Sequence, residues 1–210
     1  MKELTIPEGR VVKLYSSGKL LWERQGDVQT FDYLQFPGTA YFNTGVIQNQ
    51  DTVAEIWAND VVWNNRSMFG ARNASRNRSL VVHLNANQML LDFASSRLVV
   101  PLTELDATRQ HIVGGAGRAE YTNSAGVQIS WEYVKAIWTA SSPIVIGAMN
   151  TNGGISNLST YKLERFKITQ GDALLADYLP SVTSQGLFCL YNRADGSFLL
   201  PVGEVTCGDY

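Results

Sequence analysis

Thr52-Val53-Ala54-Glu55-Ile56-Trp57-Ala58 alternates small or polar residues with apolar ones along its whole length. A period of two is that of a half-buried β-strand, whose successive side chains point to opposite faces of a sheet. The stretch follows the turn-forming Asn49-Gln50-Asp51 and runs into Asn59-Asp60, so it is bounded as a strand should be. On this reading Trp57, alternating with Val53 and Glu55, is assigned to the core.

The same punctuation recurs every ten or so residues on either side. Tyr33-Leu34-Gln35-Phe36 runs into Pro37-Gly38, and Ala40-Tyr41-Phe42 into Asn43-Thr44-Gly45. Strands are expected at Ser67 to Ala71, Leu80 to Leu84, Gln88 to Phe93, Gln110 to Val113, Arg118 to Thr122, Val127 to Tyr133 and Ile144 to Ile146. Tyr161 to Thr169, Ala173 to Tyr178, Leu187 to Tyr191 and Ser197 to Leu200 complete the set. Asn and Gly clusters such as Asn123-Ser124-Ala125-Gly126 lie between them and tolerate the left-handed backbone of tight turns. The one helix-compatible window, Trp131 to Trp138, is too short to prefer helix. Short strands at regular spacing without a long helical pattern predict an all-β, two-sheet antiparallel sandwich or a barrel.

The first 27 residues have a character of their own. Val11 to Tyr15 and Lys19 to Glu23 flank Ser16-Ser17-Gly18, a β-hairpin signal. A free hairpin is marginal in water, so residues 1–27 are expected to be a docking appendage, with Val11, Leu14, Leu20 and Trp22 as its contact residues. The sandwich is expected over 28–210.

Composition narrows the function classes. The 210 residues are 45% apolar and 17% charged, with a net charge of -2, which suits a full core. Nucleic acid is an unsuitable partner, because binding it requires clustered Lys and Arg. Arg66, Arg72, Arg76 and Arg78 do crowd, but interspersed asparagines make them read as a solvated face. No stretch approaches the roughly 20 apolar residues of a membrane span, and Met1 to Arg10 lacks the apolar core of a secretory signal. Cys189 and Cys207 are therefore expected to be free thiols.

The order of motifs resembles that of concanavalin A-like, laminin-G-like jelly-roll domains found in phage tail or virion proteins and gut-bacterial surface proteins. Tyr33 to Gly45 is similar to their opening, and Phe69-Gly70-Ala71-Arg72 and Ile144-Val145-Ile146-Gly147-Ala148-Met149-Asn150 continue it. Tyr161 to Ile168, then Gly186 to Asn192 and Asp195 to Leu199, are similar to the family's close. The resemblance covers roughly residues 31–203 and implies a sandwich that binds glycans or proteins, or serves structure alone. Ile6 to Leu14 with Gly18 to Trp22 also resembles the leader hairpin of phage tail and virion proteins.

Candidate chemistry is sparse. Glycan-cleaving enzymes of this fold carry a close acidic run on one strand, placing two carboxylates around the glycosidic bond. The nearest approach, Asp51 and Glu55 with Asp60, leads out of a turn rather than along one strand face, and Glu104 and Asp106 have the right parity but sit in a loop-like Pro101-Leu102-Thr103 context. His83 and His111 sit singly in strands, and no Gly-x-Ser-x-Gly elbow occurs. Laminin-G-like domains often hold calcium, but Asn150 to Asn157 contains no carboxylate, so a Ca2+ site there would borrow Asp51 or Asp60. No cofactor and no metal are expected.

Trp63, flanked by Asp60, Asn64, Asn65 and Arg66, is the candidate ligand site, because an exposed aromatic face beside amides and charges suits a sugar. Trp131, Tyr133 and Trp138 form a second aromatic group. The expected function is a non-catalytic phage virion component (tail, fibre or capsid surface) presenting the sandwich for adhesion or assembly. Its partners would be other virion proteins, host-surface glycan and further copies of itself, a trimer among the options. The alternatives are a lectin-like protein on a bacterial cell surface and a glycan-cleaving enzyme of the same fold.

Overall fold

The structure, a computed structural model, describes residues 13–16, 19–23 and 28–207, apart from 63, 74–78, 86, 87, 102, 104, 106, 107, 134 and 136. In chain order the strands are β1 (Lys13–Ser16), β2 (Lys19–Glu23), β3 (Leu34–Pro37), β4 (Phe42–Asn49), β5 (Thr52–Asn59), β6 (Arg66–Arg72) and β7 (Ser79–Asn85). They continue with β8 (Gln88–Phe93), β9 (Ser96–Pro101), β10 (Arg109–Gly115), β11 (Arg118–Asn123), β12 (Gln128–Glu132) and β13 (Thr139–Ile146). The remainder are β14 (Met149–Thr151), β15 (Gly154–Ser156), β16 (Thr160–Gln170), β17 (Ala173–Val182), β18 (Phe188–Asn192), β19 (Phe198–Leu199) and β20 (Thr206–Cys207). Among the described residues no helix is long and apolar enough to cross a membrane.

Two antiparallel sheets form the sandwich. The first runs β12-β11-β10-β5-β16-β17-β18-β19, with β3 beside β16 and β20 beside β3. The second runs β15-β14-β6-β7-β8-β9, with β13 bridging β6 and β4. Among the described strands, only the short β14–β6 contact is parallel. The expected two-sheet, all-β class is what the chain adopts. β1 and β2 pair with each other in a two-stranded sheet of their own, Leu14 opposite Trp22.

Alternation decides what goes inside. On β5, Thr52, Ala54, Ile56 and Ala58 are buried, while Val53, Glu55 and Trp57 face outward. Trp57 is therefore not a core residue. Period two fixes which residues share a face but not which face is inside, and the small Ala54 and Ala58 leave room for aromatics opposite.

On β16 the buried set is Tyr161, Leu163, Phe166 and Ile168, and its period breaks between Leu163 and Phe166. The pairing with β5 shifts register between Leu163 and Arg165, a β-bulge that turns both Glu164 and Arg165 outward. Phe166 meets Phe69 of the other sheet edge-to-face, with centroids 5.0 Å apart.

The sequence reading also passes over β9, and it leaves Trp131 to Trp138 undecided. That segment starts with the end of β12 and finishes at Trp138, which is buried against Phe93. Tyr133 packs on Phe93 and Trp131, so this aromatic group closes the core. Both cysteines are free, and burial pushes the Cys189 thiol up to about 11.

Gly147 joins β13 to β14 at φ +87°, where a Cβ would stand 2.3 Å from Phe36 Cε1 and 3.0 Å from the Ala40 carbonyl. Gly153, in the β14–β15 turn at φ +90°, has open space around it. Gly147→Ala should therefore cost at least ~3 kcal/mol and Gly153→Ala only ~1 kcal/mol, the backbone contribution alone. Urea denaturation of the two variants measures the difference.

Candidate functional site

The expected ligand residues lie on the connection that carries the chain from β5 in one sheet to β6 in the other. Asp60, exposed at φ 49°, receives Lys162 Nζ at 2.7 Å, and that ammonium stands 4.5 Å over the Tyr33 ring. Asn64 and Asn65 are exposed, Asn65 at φ 54°, and Arg66 is half-buried where β6 begins. Trp63 lies outside the described residues, as does Val11 of the expected docking set. Leu14 falls on β1, and Leu20 and Trp22 on β2.

The outward face of the first sheet carries a more developed arrangement. β5 lies between β10 and β16, with His111 and Arg165 both opposite Trp57. His111 stacks on the indole at 4.4 Å and 11°, while the Arg165 guanidinium lies 4.9 Å from it on the other side. Both indole faces are thus occupied, leaving no platform for a sugar ring.

Two residues before Trp57 on β5, in the next outward row, Glu55 receives Lys167 Nζ at 3.0 Å and lies 3.5 Å from His111 Nε2. His111, ahead of Lys167, holds the Glu55 carboxyl down to about 2 against the opposing effect of burial. Asp177 is buried, which raises its pKa, but bonds from Arg165 (2.7 and 3.0 Å) and from Arg193 outweigh that and lower it. Glu164, turned out by the bulge, accepts from Asn59 Nδ2 at 2.6 Å and from Arg109 at 3.0 Å. Beside this lattice Trp57, Arg109, His111, Thr122, Asn123 and Ser124 line a shallow hollow of about 270 Å³.

The outward face of the second sheet has a recess of about 210 Å³ over β6, β7, β8 and β9. Arg72, His83, Asp92, Arg97 and Asn157 supply its polar lining, and Val81, Leu90 and Met149 its apolar wall. Asp92 and Arg97 sit opposite each other across the β8–β9 hairpin and form a two-point ion pair of 2.5 and 2.8 Å. Ser67 Oγ lies 3.1 Å from His83 Nδ1 and fixes that ring. Arg72 Nε donates to Thr151 Oγ1 at 3.1 Å.

The sequence reading groups Arg66 and Arg72 as a solvated face and treats His83 singly. Strand pairing brings Arg72 and His83 to one recess with Arg97, which is remote from both in the sequence. The register of four strands carries that signal, and no sequence window contains it.

The turn weighed for calcium uses its asparagines differently. Asn150 Oδ1 accepts from Gly153 N at 2.8 Å, and Asn152 Oδ1 from Ser141 Oγ at 2.8 Å. Asp51 is ion-paired to Lys135 and Asp60 to Lys162. Among the described residues, no group of three or more His, Cys, Asp or Glu is placed to hold a metal ion.

No protein-family model matches the chain, and no curated protein matches it. Among solved structures, domains LG4-5 of the mouse laminin α1 chain match with a TM-score of 0.49 at 14% identity, over 88% of this chain and 52% of that one. A mutant NanB sialidase from Streptococcus pneumoniae matches with a TM-score of 0.46 at 9% identity, over 83% of this chain and 39% of that one. This chain spans about half of the laminin fragment and less than half of the sialidase.

Glu55 gives the first sheet a defined pH response. Its folded-state pKa lies below the unfolded one, so its contribution is complete above 4.5 and is lost as pH falls toward about 2. Glu55→Gln should be less stable than the parent by about 2 kcal/mol near neutrality. That gap should close on acidification through this window, as followed by urea denaturation at stepped pH.

Proposed function

We propose that the chain is a non-catalytic component of a phage particle, in its tail, fibre or capsid surface, presenting the sandwich for adhesion or assembly. One observation carries the non-catalytic part: Glu55, Asp92, Glu164 and Asp177, four carboxylates of the two outward faces, each meet a Lys or Arg. Glycoside hydrolysis needs one carboxylic acid kept protonated near neutral pH. An ion pair does the reverse, and Glu55 is driven down to about 2.

The ordered motifs from Tyr33 to Leu199 and the leader hairpin support the particle setting. β1 and β2, which among the described strands pair with each other alone, suit an attachment element, with Leu14, Leu20 and Trp22 as its contact residues. The Asp60 to Arg66 connection and the outward faces are the surfaces offered to partners. These would be other virion proteins and further copies of this chain. A lectin-like role is favoured by one observation, the recess over β6 to β9 with its mixed polar and apolar lining.

Mass spectrometry and immunolabelling of purified particles from the strain carrying the gene test this reading. The chain should be found on the particle, and deletion of residues 1–27 should remove it while the sandwich still folds. Absence from particles, or undiminished incorporation of the truncated chain, contradicts the particle setting or the hairpin's role respectively. Turnover of any glycan in a panel contradicts the non-catalytic part.

A further inference from the structure

We propose that the recess over β6 to β9 binds a carboxylate-bearing sugar unit, such as a uronate, through Arg72, Arg97 and Asn157. The inference rests on reading the domain as a recognition module and adds the ligand class and the residues.

Charge sets the class. The two guanidinium groups of Arg72 and Arg97 stand against the single carboxylate of Asp92, an excess of one that matches a monoanion. The donors are available. A guanidinium has five N–H groups; Arg72 directs Nε to Thr151 Oγ1, and its terminal nitrogens have no partner among the described residues. Arg97 uses Nε and Nη2 on Asp92, an arrangement that holds its plane fixed and leaves Nη1 to donate elsewhere. A guanidinium held in this way binds a carboxylate in a fixed geometry.

Shape and polarity favour a sugar. The volume of about 210 Å³ is below the roughly 300–1,000 Å³ of a drug-sized site and suits one small unit. Leu90 and Val81 offer an apolar wall to the C–H face of a ring. The Asn157 carboxamide, with no side-chain partner among the described residues, can both donate to and accept from ring hydroxyls. Asn157 itself is anchored, at φ 54°, by its carbonyl accepting from Ser67 N at 2.8 Å.

Amide NMR titration of the full chain with sodium glucuronate, glucose, sodium acetate and N-acetylglutamate tests the assignment. Glucuronate should shift the amides of Arg72, Arg97 and Asn157 and bind at least about fivefold more tightly than the other three. Arg72→Gln should weaken it by about tenfold, Arg72→Lys by less, and Arg109→Gln on the opposite sheet should leave it unchanged. Thermal unfolding of each variant confirms that it folds.

Equal binding of glucose would show that charge is not read. Equal binding of acetate or N-acetylglutamate would show that the sugar ring is not read, the latter pointing to an acidic protein segment instead. Either result, no binding of glucuronate, or parental affinity in Arg72→Gln overturns the proposal. Incorporation into particles is a separate readout, so failure here leaves the particle reading standing.

Discussion

The carbonyl of Met68 ties the two sheets together. It accepts from Gly147 N at 2.7 Å within its own sheet and from Tyr161 Oη at 2.9 Å across the core. Burial pushes the Tyr161 phenol well above its ordinary pKa, so the hydroxyl keeps its proton and remains a donor. The same ring stacks on Phe36 at 4.8 Å, and Phe36 occupies the space where any side chain at Gly147 would stand. Ser159 N closes the circuit on the Gly147 carbonyl at 2.8 Å. A hydrogen bond inside an apolar core is costly to leave unmade, so the spacing of the sheets and the positions of β6, β13, β14 and β16 are set together.

Fixing the inward faces dictates what remains outside. Every inward Tyr161 or Phe166 on β16 has outward neighbours, and the bulge after Leu163 adds Glu164 and Arg165 to that outward set. Those side chains do not lie loose. The run His111, Trp57, Arg165, Asp177 and Arg193 crosses neighbouring strands through stacking, cation–π contact and two-point ion pairs. Such a lattice stiffens a face and occupies its charges with one another. The second sheet is different: around its recess the terminal nitrogens of Arg72, Nη1 of Arg97 and the Asn157 carboxamide have no partner among the described residues. One face is spent on its own order, and the other retains groups able to meet a ligand.

Much of this was legible in the sequence, and the reason is local. Ile144 to Asn150 and Tyr161 to Ile168, the motifs that suggested the fold, contain Gly147 and Tyr161, two members of the Met68 circuit. Strand positions followed from period two and from turn residues. The side assigned to Trp57 did not follow, because both parities of β5 carry apolar residues and only the opposing sheet decides between them. The recess was illegible for a related reason: Arg72, His83 and Arg97 belong to different strands and meet only through register. The Asp60 to Arg66 stretch was readable as an exposed connection but carried no information about what lies beside it.

Native-state hydrogen exchange of Tyr161→Phe tests the coupling of the two sheets most directly. The substitution keeps the ring on Phe36 and removes only the hydroxyl that reaches Met68. The account predicts that amide protection in β5 and in β6 falls together, by about tenfold or more, since the most protected strands of both sheets open in one cooperative step. Loss confined to one sheet, or protection unchanged in both, would contradict it.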